Sequence, residues 1–140
     1  AMNRGEFTLL MGLALRLPMT EAGGGFPDVP ADAYYAKAVA AAKNAGLIDG
    51  YEDGSFRPER LISREEMAKI LFVAMKYDDT FYDLPFKDAA AIGPVYRPAV
   101  SNLTARGILH GKNGNIFDPK GTASREEATQ MMLNLKNQLN

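Results

Sequence analysis

The segment Ser63–Met75 reads SREEMAKILFVAM, and it combines the signals that mark the start and the buried face of a helix. Ser63 is a favoured N-cap residue, and Glu66 follows three places later, which is the capping-box pattern. Apolar residues then recur on one helix face, at Met67, Ile70, Leu71 and Ala74. The segment therefore predicts an amphipathic helix whose apolar stripe needs a packing partner.

The same pattern occurs twice more in the chain, once upstream and once downstream. Asn3 with Glu6, and Ser124 with Glu127, repeat the cap at distances of 60 and 61 residues. The matching apolar stripes consist of Phe7, Leu10, Met11 and Ala14, and of Ala128, Met131, Met132 and Leu135. We expect the three helices, the first over about residues 3–17, to pack around a pseudo-threefold axis. An irregular bundle of the same helices is the alternative.

The front of this repeat is present in two copies, in which Phe26-Pro-Asp28 corresponds to Phe86-Lys-Asp88. The chain thus contains about two and a half repeats. We expect them to form one structural unit, with a closing half-repeat over 1–22, a second repeat over 23–80 and a third over 81–140. The predicted linkers are Gly23-Gly24-Gly25 and Tyr77–Pro85.

Each full repeat is predicted to begin with a second helix, over about residues 33–45 and 95–106. Gly46 and Gly107 are placed to end these helices in a left-handed conformation. Pro98 is tolerable only in the first turn of the later helix. We expect each repeat to run from helix through a turn-rich loop with a short β-bridge to helix, which is a mainly α fold.

Composition excludes several classes of function. The net charge is −1, so a general electrostatic grip on nucleic acid or anionic lipid has no support. The chain has no cysteine and one histidine, His110, so thiolate and two-histidine metal sites are excluded. No apolar run approaches the length of a membrane helix, so we expect no membrane insertion.

The loop Asp49–Arg60 has the spacing of a calcium loop only superficially. With Gly54 at the sixth position, Tyr51 and Arg60 occupy positions that need oxygen ligands. Gly50 and Gly54 are better explained as residues that permit positive φ, and Asp53 as the residue that closes an Asx turn. We therefore expect no metal and no cofactor, and no nucleophile–base pair that would make the chain an enzyme.

An arginine directly follows the N-cap of all three closing helices, as Arg4, Arg64 and Arg125. A cation at this position opposes the helix dipole, so helix stability alone does not explain the choice. One explanation is a structural ion pair, for example with Asp28 or Asp88. The other is an anion site formed by the guanidinium and the free backbone N–H groups of the helix.

These residues resemble a known family, the S-layer homology (SLH) domain. The resemblance is carried by Phe26–Pro30 (FPDVP), Gly50–Pro58 (GYEDGSFRP) and Ile62–Glu66 (ISREE). It covers most of residues 26–139 and extends to the partial repeat before them. The chain departs from the family pattern in three features. Tyr34, and Val95 or Tyr96 in the last repeat, replace the usual tryptophan. The usual Asp-Gly-Thr turn is replaced by Lys112–Asn115 (KNGN), and His110-Gly111-Lys112 replaces the sequence seen at 49–51.

The resemblance implies a three-pronged spindle, in which helix-loop-helix prongs surround a central three-helix bundle. It also implies a non-catalytic module, secreted to the bacterial cell surface, that binds an anionic secondary cell-wall polysaccharide, often capped with pyruvylated N-acetylmannosamine. A protein-docking or structural module of a surface assembly is the alternative function. We expect a monomer, or an oligomer if another chain supplies the missing half-repeat.

The resemblance further implies ligand grooves between the prongs. It assigns ligand contact to the three helix-start arginines, Arg4, Arg64 and Arg125. Gly50, Tyr51, Asp53 and Gly54 line a loop wall, with Gly111 at the matching position of the last repeat. Tyr34 and Tyr51 offer aromatic faces on which a sugar ring can stack.

Overall fold

The computed structural model describes residues 1–20 and 25–139, so Gly23 and Gly24 of the predicted linker lie outside the described residues. Five α-helices account for most of the regular structure of the described residues: α1 (Arg4–Ala14), α2 (Ala36–Asn44), α3 (Arg64–Met75), α4 (Arg97–Ala105) and α5 (Arg125–Leu139). Two 3-10 turns, Ala89–Ala91 and Pro94–Tyr96, precede α4. Extended pairing in the described part of the chain consists of isolated bridges. The prediction of a mainly α fold is confirmed.

The chain divides into two compact units, Ala1–Ile62 (the first unit) and Ser63–Asn140 (the second unit). In the first unit α1 packs on α2, and in the second unit α3 packs on α4. Each unit therefore joins the closing helix of one sequence repeat to the front of the next repeat. The packing of the three closing helices around one axis stays a prediction.

The caps that the sequence predicted are formed at all three closing helices. The Asn3 and Ser63 side chains accept from the backbone N–H three residues later, and the glutamate at that position reaches back to the cap. At α5 the Glu127 backbone N–H donates to Ser124 Oγ at 3.0 Å, and the Ser124 N–H donates to Glu127 Oε1 at 3.3 Å. Each helix thus begins where its sequence specifies.

The apolar stripes behind these caps supply much of the core. Phe7, Met11, Met67, Leu71, Ala128, Met131, Met132 and Leu135 are buried, whereas Leu10, Ala14, Ile70 and Ala74 are half-buried. The buried positions recur every three to four residues along each helix, as the spacing predicted.

The two front helices are shorter than predicted but end as predicted. Gly46 and Gly107 both have φ of +75°. The N–H of Leu47 donates to the Ala42 carbonyl at 2.9 Å, and the N–H of Ile108 donates to the Leu103 carbonyl at 3.0 Å. These are Schellman closures, which need a left-handed residue at the glycine position.

A hydrogen-bond motif explains the repeated Phe-x-Asp. Asp28 accepts from the backbone N–H groups of Phe56 and Arg57 at 2.9 and 2.8 Å. Asp88 accepts from those of Phe117 and Asp118, both at 2.8 Å. Arg57 and Asp118 have left-handed φ values of +57° and +60°, so each aspartate holds a strained corner of the loop in place.

The carboxylates of Asp28 and Asp88 also make the stability of the folded chain depend on pH. Partial burial tends to raise the pKa of Asp28 and of Asp88, but the backbone hydrogen bonds outweigh it and hold each pKa below the ordinary value of 3.8. A pKa lowered by folding contributes stability that is fully present above the unfolded value and is lost as pH falls through the folded value. The wild-type chain should therefore lose stability below about pH 4.

The double variant Asp28→Asn/Asp88→Asn tests this dependence. We expect it to be less stable at neutral pH and to lose less further stability on acidification than the wild type. Urea unfolding midpoints at about pH 6 and about pH 3 provide the comparison. An equal loss in both proteins would show that other carboxylates cause the acid sensitivity.

Candidate functional site

Arg64, the first residue of α3, is a buried side chain that fastens the helix to the loop of the next repeat. Its Nε donates to the Phe117 carbonyl at 2.7 Å, and its Nη2 donates to the His110 carbonyl at 2.8 Å. Its Nη1 is paired with the Glu127 carboxylate, and its guanidinium carbon lies 5.0 Å from the centre of the Phe117 ring. The residue is 3% exposed, and burial lowers the pKa of its guanidinium, against the opposing charges of Asp118 and Asp88.

Arg4 makes the corresponding contacts in the first unit. Its Nε donates to the Phe56 carbonyl at 3.0 Å, and its guanidinium lies 4.6 Å from the centre of the Phe56 ring. Arg4 is 8% exposed. At both helices the arginine in this unfavourable position bonds the carbonyl and covers the ring of the residue that closes the neighbouring loop.

The prediction that free backbone N–H groups accompany the arginine is wrong at these two helices. The Arg64 and Glu65 N–H groups donate to the Gly121 and Pro119 carbonyls at 3.0 and 3.1 Å. The N–H groups of Arg4 and Gly5 donate to the Arg60 and Pro58 carbonyls, each at 2.9 Å. Loop carbonyls of the next repeat thus occupy the donors that an anion would need.

The ion-pair explanation holds for Arg64, but with a different partner from the ones named. Glu127, the capping glutamate of α5, supplies the paired carboxylate. Asp88 is occupied by backbone N–H groups and acts on Arg64 only through its charge. The sequence alone does not indicate Glu127 because its capping role already accounts for it.

Arg64 also lines a cavity of about 520 Å³, which we call the second-unit cavity. It lies among the amino end of α3, the loop after α4 and the first turns of α5. The residues that line it are Arg64, Met67, Ile108, Leu109, His110, Gly111, Lys112, Glu126, Glu127, Gln130, Met131 and Asn134. Two predicted site residues, Arg64 and Gly111, are therefore brought together in one cavity.

The lining suits a ligand that is both polar and carbon-rich. Gln130 Nε2 donates to Asn134 Oδ1 at 3.0 Å, and Asn134 Nδ2 donates to the Ile108 carbonyl at 3.3 Å. The amides keep further donor and acceptor capacity for hydroxyl groups. Met131 and Ile108 add apolar surface beside them. The amide pair was not predicted from the sequence, where its only signal is its spacing of four residues on one helix.

In the first unit three arginines surround the ring of Tyr51, one of the predicted loop residues. The guanidinium carbons of Arg57, Arg4 and Arg60 lie 3.9, 5.0 and 5.9 Å from the centre of its ring. The sequence indicated only Arg4 of these three. Tyr51 thus contacts a predicted ligand-binding arginine, while the availability of its face to a sugar stays a prediction.

The turn after Tyr51 has the predicted form, with one exception. Asp53 Oδ1 accepts from the Ser55 hydroxyl at 2.6 Å and from the Ser55 N–H at 3.0 Å, and the second bond closes an Asx turn. The hydroxyl bond and then the backbone bond lower the pKa of Asp53. Gly54 has φ of +84°. Gly50, however, has no positive φ, and that prediction is wrong. A Cβ there would lie 2.7 Å from the Ser55 carbonyl oxygen, so close backbone approach requires the glycine.

Gly111 is required for the same reason in the second unit. A Cβ at this position would lie 2.6 Å from Phe86 Cε1 and 2.9 Å from the Ile116 carbonyl oxygen. Lys112 and Ile116 form the predicted β-bridge across the turn that follows Gly111. The backbone at residues 111 and 112 therefore lies close to the backbone on the other side of this turn. Gly50 and Gly111 therefore shape the loop, and their contact with a ligand stays a prediction.

Tyr34 and Arg125 lie on exposed surface. Tyr34 is 64% exposed and meets the Tyr35 ring edge-on, with 5.0 Å between the ring centres. Arg125 is exposed at the start of α5 and is not among the residues lining the second-unit cavity. Their predicted ligand contacts stay predictions.

A search of residues 1–20 and 25–139 for metal-binding geometry finds no group of three or more potential ligands. Over the same residues, no helix has the length and apolar character that crossing a bilayer requires.

Comparison with known proteins agrees with this organisation. A model of the S-layer homology domain matches residues 25–68 and 85–129. Amylopullulanase of Thermoanaerobacterium thermosulfurigenes is 34% identical over 139 residues, which are 95% of this chain and 7% of that protein. Exoglucanase XynX of Acetivibrio thermocellus is 34% identical over 139 residues, which are 95% of this chain and 13% of that protein.

The surface-layer 125 kDa protein of Lysinibacillus sphaericus is 31% identical over 128 residues, which are 89% of this chain and 11% of that protein. The chain thus spans a small fraction of the length of these relatives, whether they are named as enzymes or as surface-layer proteins. The shared part is the non-catalytic anchoring module, which indicates a location at the cell surface or cell wall. The chain belongs to the S-layer homology domain family.

Proposed function

We propose that this chain anchors the protein that carries it to an anionic secondary cell-wall polysaccharide, and that the second-unit cavity receives the polymer. The observation that carries the proposal is the cavity itself, which the structure builds at the junction of two repeats. Arg64 on α3 and Gly111 on the following loop lie in its wall. A junction between repeats is also where the resemblance to the SLH domain implies a groove.

The chemistry of the lining supports a sugar as ligand. Polymer hydroxyl groups exchange water for the Gln130 and Asn134 amides, while the apolar face of a sugar ring packs on Met131 and Ile108. The volume of about 520 Å³ lies within the range of small-ligand sites. A pyruvate ketal on the sugar adds a carboxylate, for which the cavity offers cationic side chains.

Sedimentation with purified walls tests the proposal. We expect the chain to sediment with wall sacculi that carry the secondary polymer and to remain in solution with sacculi stripped by hydrofluoric acid. Protease-treated sacculi that retain the polymer serve as the matched control. Binding that survives the acid and disappears after protease would identify a protein partner instead and would contradict the proposal.

A further inference from the structure

The two Lys or Arg side chains that line the second-unit cavity differ sharply in access to solvent. The Arg64 side chain is 4% exposed, whereas the Lys112 side chain is 44% exposed. A group that receives a dissolved ligand must be reachable before the ligand binds. Access therefore favours Lys112 as the cation that meets an acidic ligand.

The hydrogen bonds and the ion pair of Arg64 also favour Lys112 as the residue that contacts the ligand. Its three nitrogens already serve the Phe117 carbonyl, the His110 carbonyl and the Glu127 carboxylate. A ligand carboxylate would have to displace a charge-assisted contact inside a buried site, which leaves Glu127 without its partner. Arg64 is thus suited to hold the cavity wall rather than to take the ligand.

The backbone of Lys112 is fixed beside the cavity by a hydrogen bond, whereas its side chain makes an exposed ion pair. The Lys112 N–H donates to the Ile116 carbonyl at 2.6 Å, which closes the turn that carries it. Its Nζ lies 2.8 Å from Asp118 Oδ2, in a pair whose side chains are 44% and 43% exposed. Exposed pairs of this kind contribute little to stability, so a ligand carboxylate can replace Asp118 at small cost.

We infer that Lys112 makes the direct contact with the acidic group of the ligand, and that Arg64 is a positioning residue. Arg64 holds the His110 carbonyl, two residues before Lys112, and so fixes the loop from which the lysine reaches the cavity. The inference rests on the proposed function. Tyr51 stands at the corresponding place in the preceding repeat, so the two repeats present different chemistry to a ligand there.

The test uses the full chain and two defined probes, the methyl glycosides of N-acetylmannosamine with and without a ketal-linked pyruvate. Lys112→Gln should weaken binding of the pyruvylated probe by about tenfold or more, because a charge-assisted hydrogen bond is lost. Binding of the neutral probe should be unchanged. Lys112→Arg should restore most of the affinity, and Lys87→Gln, an exposed lysine outside the cavity lining, should have no effect.

Calorimetric titration measures the affinities, and thermal unfolding of Lys112→Gln verifies that the fold is intact. Equal affinity of wild type and Lys112→Gln for the pyruvylated probe would overturn the inference and leave the proposed function standing. Sedimentation with walls but equal or absent binding of the two probes by the wild type would also overturn it. Failure of the wild type to sediment with polymer-bearing walls would instead overturn the proposed function.

Discussion

Replacement of Phe117 by alanine should lower the free energy of unfolding of the second unit by about 3–5 kcal/mol. The Phe117 side chain is completely buried, and its ring centre lies 5.2 Å from that of Phe86. Its backbone N–H is held by Asp88 and its carbonyl by Arg64, so the surrounding loop has little freedom to collapse into the cavity that truncation leaves.

Urea unfolding followed by circular dichroism measures this loss. Val95→Ala is the matched control, because Val95 is also an apolar residue of the second unit but is 64% exposed. We expect its effect to stay within about 0.5 kcal/mol. A Phe117→Ala variant as stable as the control would mean that the loop does not depend on this ring.

Arg64→Ala should cost about 3 kcal/mol of stability, although it removes a charged residue from the first turn of a helix. The substitution leaves the Phe117 and His110 carbonyls without their donor and Glu127 without its counter-charge. These losses outweigh the few tenths of a kcal/mol by which removing a cation improves the helix dipole interaction. The same urea experiment gives the value.

Arg125→Ala provides the comparison for Arg64, because Arg125 holds the same helix position but is exposed. Its removal should change stability by no more than about 0.5 kcal/mol. Arg64→Lys should recover only part of the loss, since an ammonium cannot span two carbonyls and a carboxylate in one plane. Similar effects at positions 64 and 125 would contradict the fastening role of Arg64.

Local sequence predicted the helices well because their signals lie within a few residues of one another. The cap residue and the glutamate of each capping box are three positions apart, and Gly46 and Gly107 lie two positions after the last residue of the helices that they end. The Asx turn at Asp53 is equally local. For these features both partners of each interaction lie within the same short segment of the sequence.

The role of the helix-start arginines was not predictable in the same way. The carbonyl that Arg64 bonds belongs to Phe117, more than 50 positions along the chain, and Arg4 is related to Phe56 in the same manner. The sequence therefore left an ion pair and an anion site as open alternatives. The structure shows an ion pair at Arg64, with Glu127 as its partner, and a further use at Arg64 and Arg4, in which the arginine bonds a carbonyl of the next repeat.

The sequence also did not predict where two backbone segments approach each other closely, or the shape of the cavity. Gly50 resembled a residue that permits positive φ, but it is needed because Phe26 and the Ser55 carbonyl leave no room for a Cβ. Lys112 and Gln130 were not predicted to be site residues because the cavity that both line forms only when α5 packs beside the loop after α4. Long-range packing decides both.

Backbone amide shifts of the isotope-labelled chain, recorded while purified secondary wall polymer is added, test the location of the site most directly. Binding in the second-unit cavity predicts that the largest changes include Gly111, Lys112, Gln130 and Asn134, and that they are absent with polymer-free wall fragments. Polymer binding that leaves these four amides unshifted would contradict that location.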